Sequence, residues 1–134
     1  MLDELIGDGR ISCPILVYNE LTDGQDDLSE WAKERRRAGL FTEPSEAVQR
    51  TFRRVAAYVT QRYPDNQSRR RFMNRADPWV IAHAISQGGT VVTLEEKVMD
   101  TSQQVKIPNV CSHFKVTCIN TYQMLRELGV AWNG

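Results

Sequence analysis

The chain contains 134 residues, of which 41% are hydrophobic and 25% are charged. This length and composition are those of one globular domain with a buried core, and they exclude a wholly disordered chain. No apolar segment approaches the roughly 20 residues that a bilayer-spanning helix needs, the acidic segment Met1–Glu4 does not resemble a signal peptide, and the three cysteines form no CxxC pair. We therefore predict a single domain over residues 1–134, located in the cytoplasm.

The net charge of zero conceals an uneven distribution. Twelve basic and four acidic residues lie between Lys33 and Arg75, a net charge of +8, and the remainder of the chain carries −8. A basic segment between acidic flanks is typical of a polyanion-binding surface beside an acidic pocket. Solvated surface is the commoner explanation for runs such as Arg35–Arg37 and Arg69–Arg71, and the sequence leaves both interpretations open.

The first third of the chain predicts short elements separated by glycine stop signals and by Asp or Pro start signals. In order, the predicted elements are the end of a helix over residues 2–6, a strand over residues 10–13, a helix from Pro14 through Leu21, and a helix capped by Asp26 or Asp27 that ends at Ala38–Gly39.

The segment from Pro44 to Arg62 gives the clearest helix signal. Val48, Phe52, Val55 and Val59 recur at steps of four, three and four residues, which places them on one helix face. Three arginines of the same segment fall outside this apolar stripe. The sequence therefore predicts a helix that is buried on one side and basic on the other, with Pro44 in its first turn.

The second half of the chain predicts alternating helices and strands. Asp77, as N-cap before a proline, opens a helix that ends at Gly88–Gly89, and the β-branched run Thr90–Leu94 predicts a buried strand. The remaining predicted elements are a helical turn within Ile107–Phe114, a strand over Lys115–Ile119, and a last helix capped by Asn120 with Tyr122, Leu125 and Leu128 towards the core. Short strands that alternate with helices predict an α/β fold with a parallel sheet.

Acidic residues from separate parts of the chain are candidates for a metal site. Thr93, Glu95 and Glu96 follow the predicted strand of the second half, and ligands bind outside the carboxyl ends of strands in open parallel sheets. Asp77 at a helix start and Glu20 near a helix end would add oxygen ligands of the kind that Mg²⁺ prefers. Such an ion can activate water and bind a scissile phosphate.

Each acidic residue also has a structural explanation. Asp77 before a proline suits a helix cap, Glu20 taken alone is an exposed helix residue, and Glu95 or Glu96 can cap the loop after the strand. Other mechanisms find less support, because neither histidine has a Cys or His at zinc-ligand spacing. No cysteine–histidine pair has a third orienting group, and no glycine-rich phosphate loop follows a strand.

The order of these segments resembles a bacterial PIN-like subfamily over nearly the whole chain. The most specific segments are the helix start Asp77–Trp79 and the stretch Lys106–Cys111; weaker matches are Val17–Leu21, Asp26–Ala32, Val91–Lys97 and Leu125–Gly129. The resemblance implies a three-layer α/β/α fold around a Rossmann-like parallel sheet. It also implies cleavage of RNA with Mg²⁺ or Mn²⁺, often as the toxin that an antitoxin protein neutralises.

The same resemblance assigns roles to particular residues. The second acidic position of the family falls on Glu20, the third on Asp77 and the fourth on Glu95, with Thr93 as a supporting hydroxyl, whereas Glu96 is one residue out of register. We therefore expect Glu20, Asp77 and Glu95 to bind the metal.

The first strand of the PIN-like fold, which ends in a metal-binding aspartate, has no counterpart in this sequence. The chain opens on a segment that resembles the helix after that strand. Because loss of a central strand leaves unpaired backbone groups along two strand edges, we expect either a rearranged sheet or a homodimer, and weaker metal binding. The sequence thus leaves three hypotheses open: a PIN-like ribonuclease, a catalytically inactive PIN-like module that binds RNA or a protein, and a structural remnant with no activity of its own.

Overall fold

A computed structural model describes residues 13–14, 27–37 and 39–127. The chain divides into two compact units, residues 1–46 and residues 47–134. In chain order the described elements are β1 (Cys13–Pro14), α1 (Asp27–Arg37), β2 (Phe41–Thr42), α2 (Glu46–Arg62), α3 (Gln67–Asn74), α4 (Asp77–Gln87), β3 (Val91–Val92), α5 (Ile107–His113), β4 (Cys118–Ile119) and α6 (Thr121–Glu127).

In the first unit, β1 pairs in parallel with β2, so that Cys13 lies opposite Phe41. The prediction that Pro14 starts a helix is wrong, because Pro14 is the second residue of β1. A proline is tolerated in a strand where its missing N–H is not needed for the ladder. The predicted end of α1 is confirmed, since Gly39 has a φ of +85° and its N–H donates to the Arg36 carbonyl. The helices predicted over residues 2–6 and 15–21 lie outside the described residues.

Helix α2 carries the core of the second unit as its periodicity predicts. Val48, Val55 and Val59 are buried, and the half-buried Phe52 stacks on Trp79 with ring centroids 4.0 Å apart. The helix begins at Glu46, so the prediction of Pro44 in the first turn is wrong. A proline restricts the residue before it away from the helical region and here precedes the helix.

Helix α3 has no counterpart among the predicted elements. Asn66 caps it, because its Oδ1 accepts a hydrogen bond from the Arg69 N–H at 2.8 Å. The side chain of Phe72, 2% exposed, ties the helix to the core. The run Arg69–Arg71 therefore lies on a helix and not on an irregular loop.

The prediction that Asp77 is the N-cap of α4 is wrong. Ala76 occupies the cap position without a side-chain hydrogen bond, and Asp77 and Pro78 are the first two helical residues. An acidic residue in the first turn still interacts favourably with the helix dipole. The predicted stop is confirmed, because Gly88 adopts the left-handed conformation at φ +66°.

Strands β3 and β4 pair in parallel, with Val91 opposite Cys118 and Val92 opposite Ile119. The prediction of a buried strand is wrong in part: Val91 is 2% exposed, but Val92 is 37% exposed. Only one face of this strand packs on the core. Strand β4 is also shorter than the predicted Lys115–Ile119, because Lys115 has a φ of +58°, which is incompatible with a strand.

Helix α6 begins as predicted. The Asn120 side chain accepts a hydrogen bond from the Gln123 N–H at 2.8 Å, and the Gln123 side chain accepts one from the Asn120 N–H at 2.9 Å. Leu125 is buried, but Tyr122 is 62% exposed, so its predicted core position is wrong. Leu128 lies outside the described residues.

The described part of the chain is a mixed α/β structure with parallel strand pairing. Its four short strands form two separate two-stranded sheets, β1–β2 and β3–β4. Each parallel pair is joined through a segment that contains a helix, α1 in one case and α5 in the other, as parallel strands require. Across residues 27–37 and 39–127, no helix has the length and apolar character needed to cross a membrane.

Candidate functional site

A cavity of about 590 Å³ lies at the carboxyl ends of β3 and β4. Because the two strands are parallel, the residues that follow them meet at one edge of the sheet. The polar side chains of the lining come from the segments after β3 and β4 and from α5: Thr93, Glu95, Glu96, Lys97, Ser112, Asn120 and Gln123. The structure therefore places three predicted residues, Thr93, Glu95 and Glu96, at the same cavity.

Thr93 and Glu95 are held by local hydrogen bonds. The Thr93 hydroxyl accepts a hydrogen bond from the Glu95 N–H at 3.1 Å, which closes a tight turn directly after the strand. Glu95 Oε2 accepts a hydrogen bond from the Ile107 N–H at 2.8 Å and so caps the first turn of α5. Glu95 thus has a structural role, but at the start of α5 and not in the loop after the strand, as the sequence had suggested. Its other oxygen, Oε1, makes no hydrogen bond to any described residue.

Asn109 holds the segment that carries Glu95 and Glu96. Its Oδ1 accepts a hydrogen bond from the Val98 N–H at 3.0 Å, and its Nδ2 donates to the Val98 carbonyl at 2.8 Å. Asn109 is 8% exposed, so this pair of bonds is shielded from water. Sequence reasoning missed this role, although Asn109 lies in the specific stretch Lys106–Cys111.

Cys118 lines the cavity and Cys111 is buried beside it, and neither thiol is activated. Burial, reinforced by the neighbouring Cys118, raises the pKa of the Cys111 thiol to about 12. Burial also raises the pKa of Cys118; the hydrogen bond with Cys111 opposes this effect and the Glu95 carboxylate adds to it. Both thiols are therefore protonated near neutral pH, and neither is a nucleophile.

Asp77 is not part of the cavity lining. It is half-buried in the first turn of α4, a helix that contacts β3. The helix ends at Gly88, which is left-handed, and the Gly89 N–H donates to the Ala84 carbonyl at 2.8 Å.

The predicted metal set is only partly described. Glu20 lies outside the described residues. Within residues 27–37 and 39–127, no three side chains of His, Cys, Asp or Glu lie close enough together to bind one metal ion. The arrangement of Glu20, Asp77 and Glu95 as a set remains a prediction.

A family model described as Domain of unknown function (DUF4411) matches residues 1–132. The chain belongs to the DUF4411 family. No curated protein and no solved structure matches the chain significantly. A function for this DUF4411 chain therefore has to be argued from the cavity and the surfaces beside it.

The lining of the DUF4411 cavity fits a hard divalent cation by its chemistry. Apart from the Cys118 thiol, the groups able to bind a cation are hydroxyl, amide and carboxylate oxygens, which Mg²⁺ and Mn²⁺ prefer. The lining contributes two carboxylates, Glu95 and Glu96. The fit is thus partial.

The arginine run of α3 is not uniform. Arg69 donates from Nη1 to the carbonyls of Thr60 and Tyr63 at 3.2 and 3.0 Å, which fixes the turn between α2 and α3. Arg70 donates to Asp65 at 3.0 Å, and this contact lowers the pKa of the aspartate. Arg71 is exposed and pairs with no carboxylate in the described part of the chain. One member of the run is therefore structural, and another is free to bind an anion.

Proposed function

We propose that this chain is a PIN-like, divalent-metal-dependent ribonuclease whose site is the cavity at the carboxyl ends of β3 and β4. The observation that carries the proposal is the convergence of Thr93, Glu95 and Asn120 at one cavity, directly after two parallel strands. In parallel α/β sheets this edge is where ligands bind. The proposal includes a three-layer α/β/α arrangement of the whole chain and action in the cytoplasm.

Glu20, Asp77 and Glu95 would bind Mg²⁺ or Mn²⁺, and Thr93 would support Glu95. A bound ion of this kind lowers the pKa of coordinated water and stabilises charge on a phosphate. Two hydrogen bonds favour this role for Glu95: the Thr93 hydroxyl fixes its backbone, and the Ile107 N–H fixes one carboxylate oxygen. A carboxylate oriented in this way loses less entropy when its second oxygen binds a cation.

The cavity also contains a group suited to the phosphate of RNA. The Lys97 ammonium belongs to the lining, and its ion pair with Asp100 is long and exposed, with Nζ and Oδ1 4.0 Å apart. An exposed pair of this kind contributes little energy, so a phosphate oxygen can displace the Asp100 carboxylate at small cost. The role of Lys97 would be to bind the phosphate and to offset its charge beside the carboxylates.

The test is cleavage of a labelled single-stranded RNA in the presence of Mg²⁺ or Mn²⁺. The wild-type chain is compared with Asp77→Asn, Glu95→Gln and the neighbouring control Glu96→Gln, and each reaction is repeated with excess EDTA. We expect metal-dependent cleavage by the wild type and by the Glu96 variant, with loss in the other two. Absence of cleavage, or equal cleavage by all four proteins, would contradict the proposal.

A second function is favoured by one observation. One oxygen of the Glu95 carboxylate already serves as the cap of α5, where it accepts a hydrogen bond from the Ile107 N–H. A catalytically inactive PIN-like module would keep RNA binding or a protein partner, such as an antitoxin or a second copy of the chain, without cleavage. This alternative predicts RNA binding in EDTA that divalent cations do not convert into cleavage.

A further inference from the structure

One ridge of α2 combines arginines with a tyrosine. Arg50, Arg54 and Tyr58 are spaced four residues apart and therefore lie in one row along the helix, about 6 Å apart along its axis. Arg50 and Arg54 are exposed and Tyr58 is half-buried. This row lies beside the buried stripe of the helix: Tyr58 packs against the core, and the two arginines are exposed to solvent.

Two rings from the end of α5 extend the row. His113 stacks on Tyr58 with ring centroids 3.6 Å apart and an interplanar angle of 13°. Phe114 meets both rings edge-on, 5.5 Å from Tyr58 and 4.8 Å from His113. The Arg54 guanidinium lies 5.8 Å from the centre of the Phe114 ring. We call Arg50, Arg54, Tyr58, His113 and Phe114 the arginine–aromatic stripe.

The arginines of the stripe have few acidic neighbours along α2 and α3. Residues 47–75 contain eight arginines and a single acidic residue, Asp65, which already pairs with Arg69 and Arg70. Among residues 27–37 and 39–127, no carboxylate forms an ion pair with Arg50 or Arg54. Exposed guanidinium groups without carboxylate partners keep their full capacity for phosphate oxygens.

His113 presents a flat, pre-oriented surface to solvent. Tyr58 covers one face of the imidazole and Phe114 meets the ring at right angles, while His113 as a residue is exposed. The ring is held by stacking, since no hydrogen bond orients it within the described residues. A planar ring fixed in this way is a platform for a second planar group, because stacking on it costs little further order.

We propose that the arginine–aromatic stripe binds single-stranded RNA, with phosphates on Arg50 and Arg54 and one base stacked on His113. The proposal rests on the proposed function only in the choice of RNA as the nucleic acid. A duplex keeps its bases inside the helical stack, so an exposed ring platform discriminates in favour of unpaired bases. An acidic protein would match the arginines but would offer no planar base to His113.

The stripe is adjacent to the cavity. Ser112 lines the cavity, and the next residue, His113, stacks on Tyr58. Only the last turn of α5 separates the two surfaces. A strand of RNA on the stripe would therefore reach the cavity by crossing this turn.

The experiment measures binding of a labelled oligouridine by fluorescence anisotropy, in EDTA and at several salt concentrations. An RNA duplex of the same length is the comparison. We expect the single strand to bind more tightly. The double variant Arg50→Gln/Arg54→Gln should weaken binding and reduce the slope of log K against log salt by about 1.4, because each phosphate contact to a single strand contributes about 0.7.

His113 is tested by two substitutions. His113→Ala should weaken oligouridine binding about tenfold and leave the salt slope unchanged, because stacking releases no counterions. His113→Phe should restore the affinity, since it keeps the planar ring. A circular-dichroism melt of each variant verifies that the fold is retained.

The matched control is Arg71→Gln/Arg75→Gln, which removes the same charge from two exposed arginines outside the stripe. We expect it to change the affinity and the slope less than the stripe variant does. Any of four results would overturn the proposal. The two double variants could have equal effects, or duplex and single strand could bind equally well. His113→Ala could bind oligouridine as tightly as the wild type, or polyglutamate could bind as tightly as the RNA.

The two proposals fail in distinguishable ways. Because binding is measured in EDTA, the stripe can bind oligouridine even if the protein never cleaves RNA, and then only the nuclease proposal fails. If the protein cleaves RNA while the stripe variants bind normally, only the stripe proposal fails.

Discussion

Glu95 has two assigned roles, and a stability measurement can separate them. Replacing it with alanine removes the acceptor of the Ile107 N–H, a 2.8 Å hydrogen bond at the first turn of α5. Ile107 is 8% exposed, so water has poor access to the N–H left behind. Loss of a side-chain cap typically costs about 1 kcal/mol, and a charged acceptor raises this to about 1.5–3 kcal/mol. Because Glu95 itself is exposed, we expect Glu95→Ala to lower the free energy of unfolding by about 1–1.5 kcal/mol.

Two further substitutions at this position and its neighbour isolate the cause. Glu95→Gln keeps an oxygen acceptor and loses only the charge near the helix N-terminus, a change of roughly 0.5 kcal/mol. Glu96→Ala removes an exposed carboxylate that makes no hydrogen bond to a described residue, and we expect a change within about 0.5 kcal/mol.

The assay is urea unfolding of the four proteins, followed by tryptophan fluorescence at one pH. Glu95→Ala should lower the urea midpoint most, Glu95→Gln less, and Glu96→Ala least. The m-value should be unchanged. If Glu95→Ala and Glu96→Ala unfold at the same urea concentration, the capping bond does not stabilise the fold and the reasoning is refuted.

Three other predictions concern groups that support the site. Asn109→Ala should cost about 2–3 kcal/mol, because it removes two buried hydrogen bonds and leaves the Val98 groups without partners; a urea midpoint near the wild-type value would contradict this. Arg69→Gln should lower the free energy of unfolding by about 1–2 kcal/mol, because Arg69 donates to two carbonyls. Arg71→Gln should unfold like the wild type. Equal urea midpoints of the two variants would contradict a structural role for Arg69. Burial lowers the pKa of His83 below 6.5, despite an opposing hydrogen bond from its helix. As the pH falls, the unfolded state therefore binds the proton before the folded state does. The free energy of unfolding should be constant above about pH 6.5 and should fall as the pH drops towards the folded-state pKa. His83→Gln should lose this pH dependence in urea titrations, and an unchanged profile would exclude His83 as its source.

The elements that local patterns encode could be predicted from the sequence. The valine spacing of α2 predicts its buried face, because helix geometry alone brings those positions together. Asn120 predicts the start of α6 because the bonds that fix it join residues only three positions apart. In contrast, Pro14 belongs to a strand because a distant partner, β2, pairs with it. The burial of Tyr122 likewise depends on what packs over it, which no local pattern records.

The candidate site likewise contains residues that a local pattern predicts and residues that it does not. The Thr-x-Glu pattern after a β-branched run predicts Thr93 and Glu95 at a sheet edge, and both line the cavity. The bonds between Asn109 and Val98 and the stack of His113 on Tyr58 could not be predicted, because each joins segments that only the tertiary fold brings together. Sequence reasoning therefore identified the residues that follow the strands. It missed the residues whose hydrogen bonds and ring contacts join separate segments.

The measurement that tests the nuclease proposal most directly is Mn²⁺ binding, followed by electron paramagnetic resonance during a titration of the purified chain. The account predicts saturable binding of Mn²⁺ with oxygen ligands. The affinity should fall about tenfold or more in Asp77→Asn and in Glu95→Gln, of which the second keeps the α5 cap, and should be unchanged in Glu96→Gln. Absence of saturable binding, or the same affinity in all four proteins, would contradict the account.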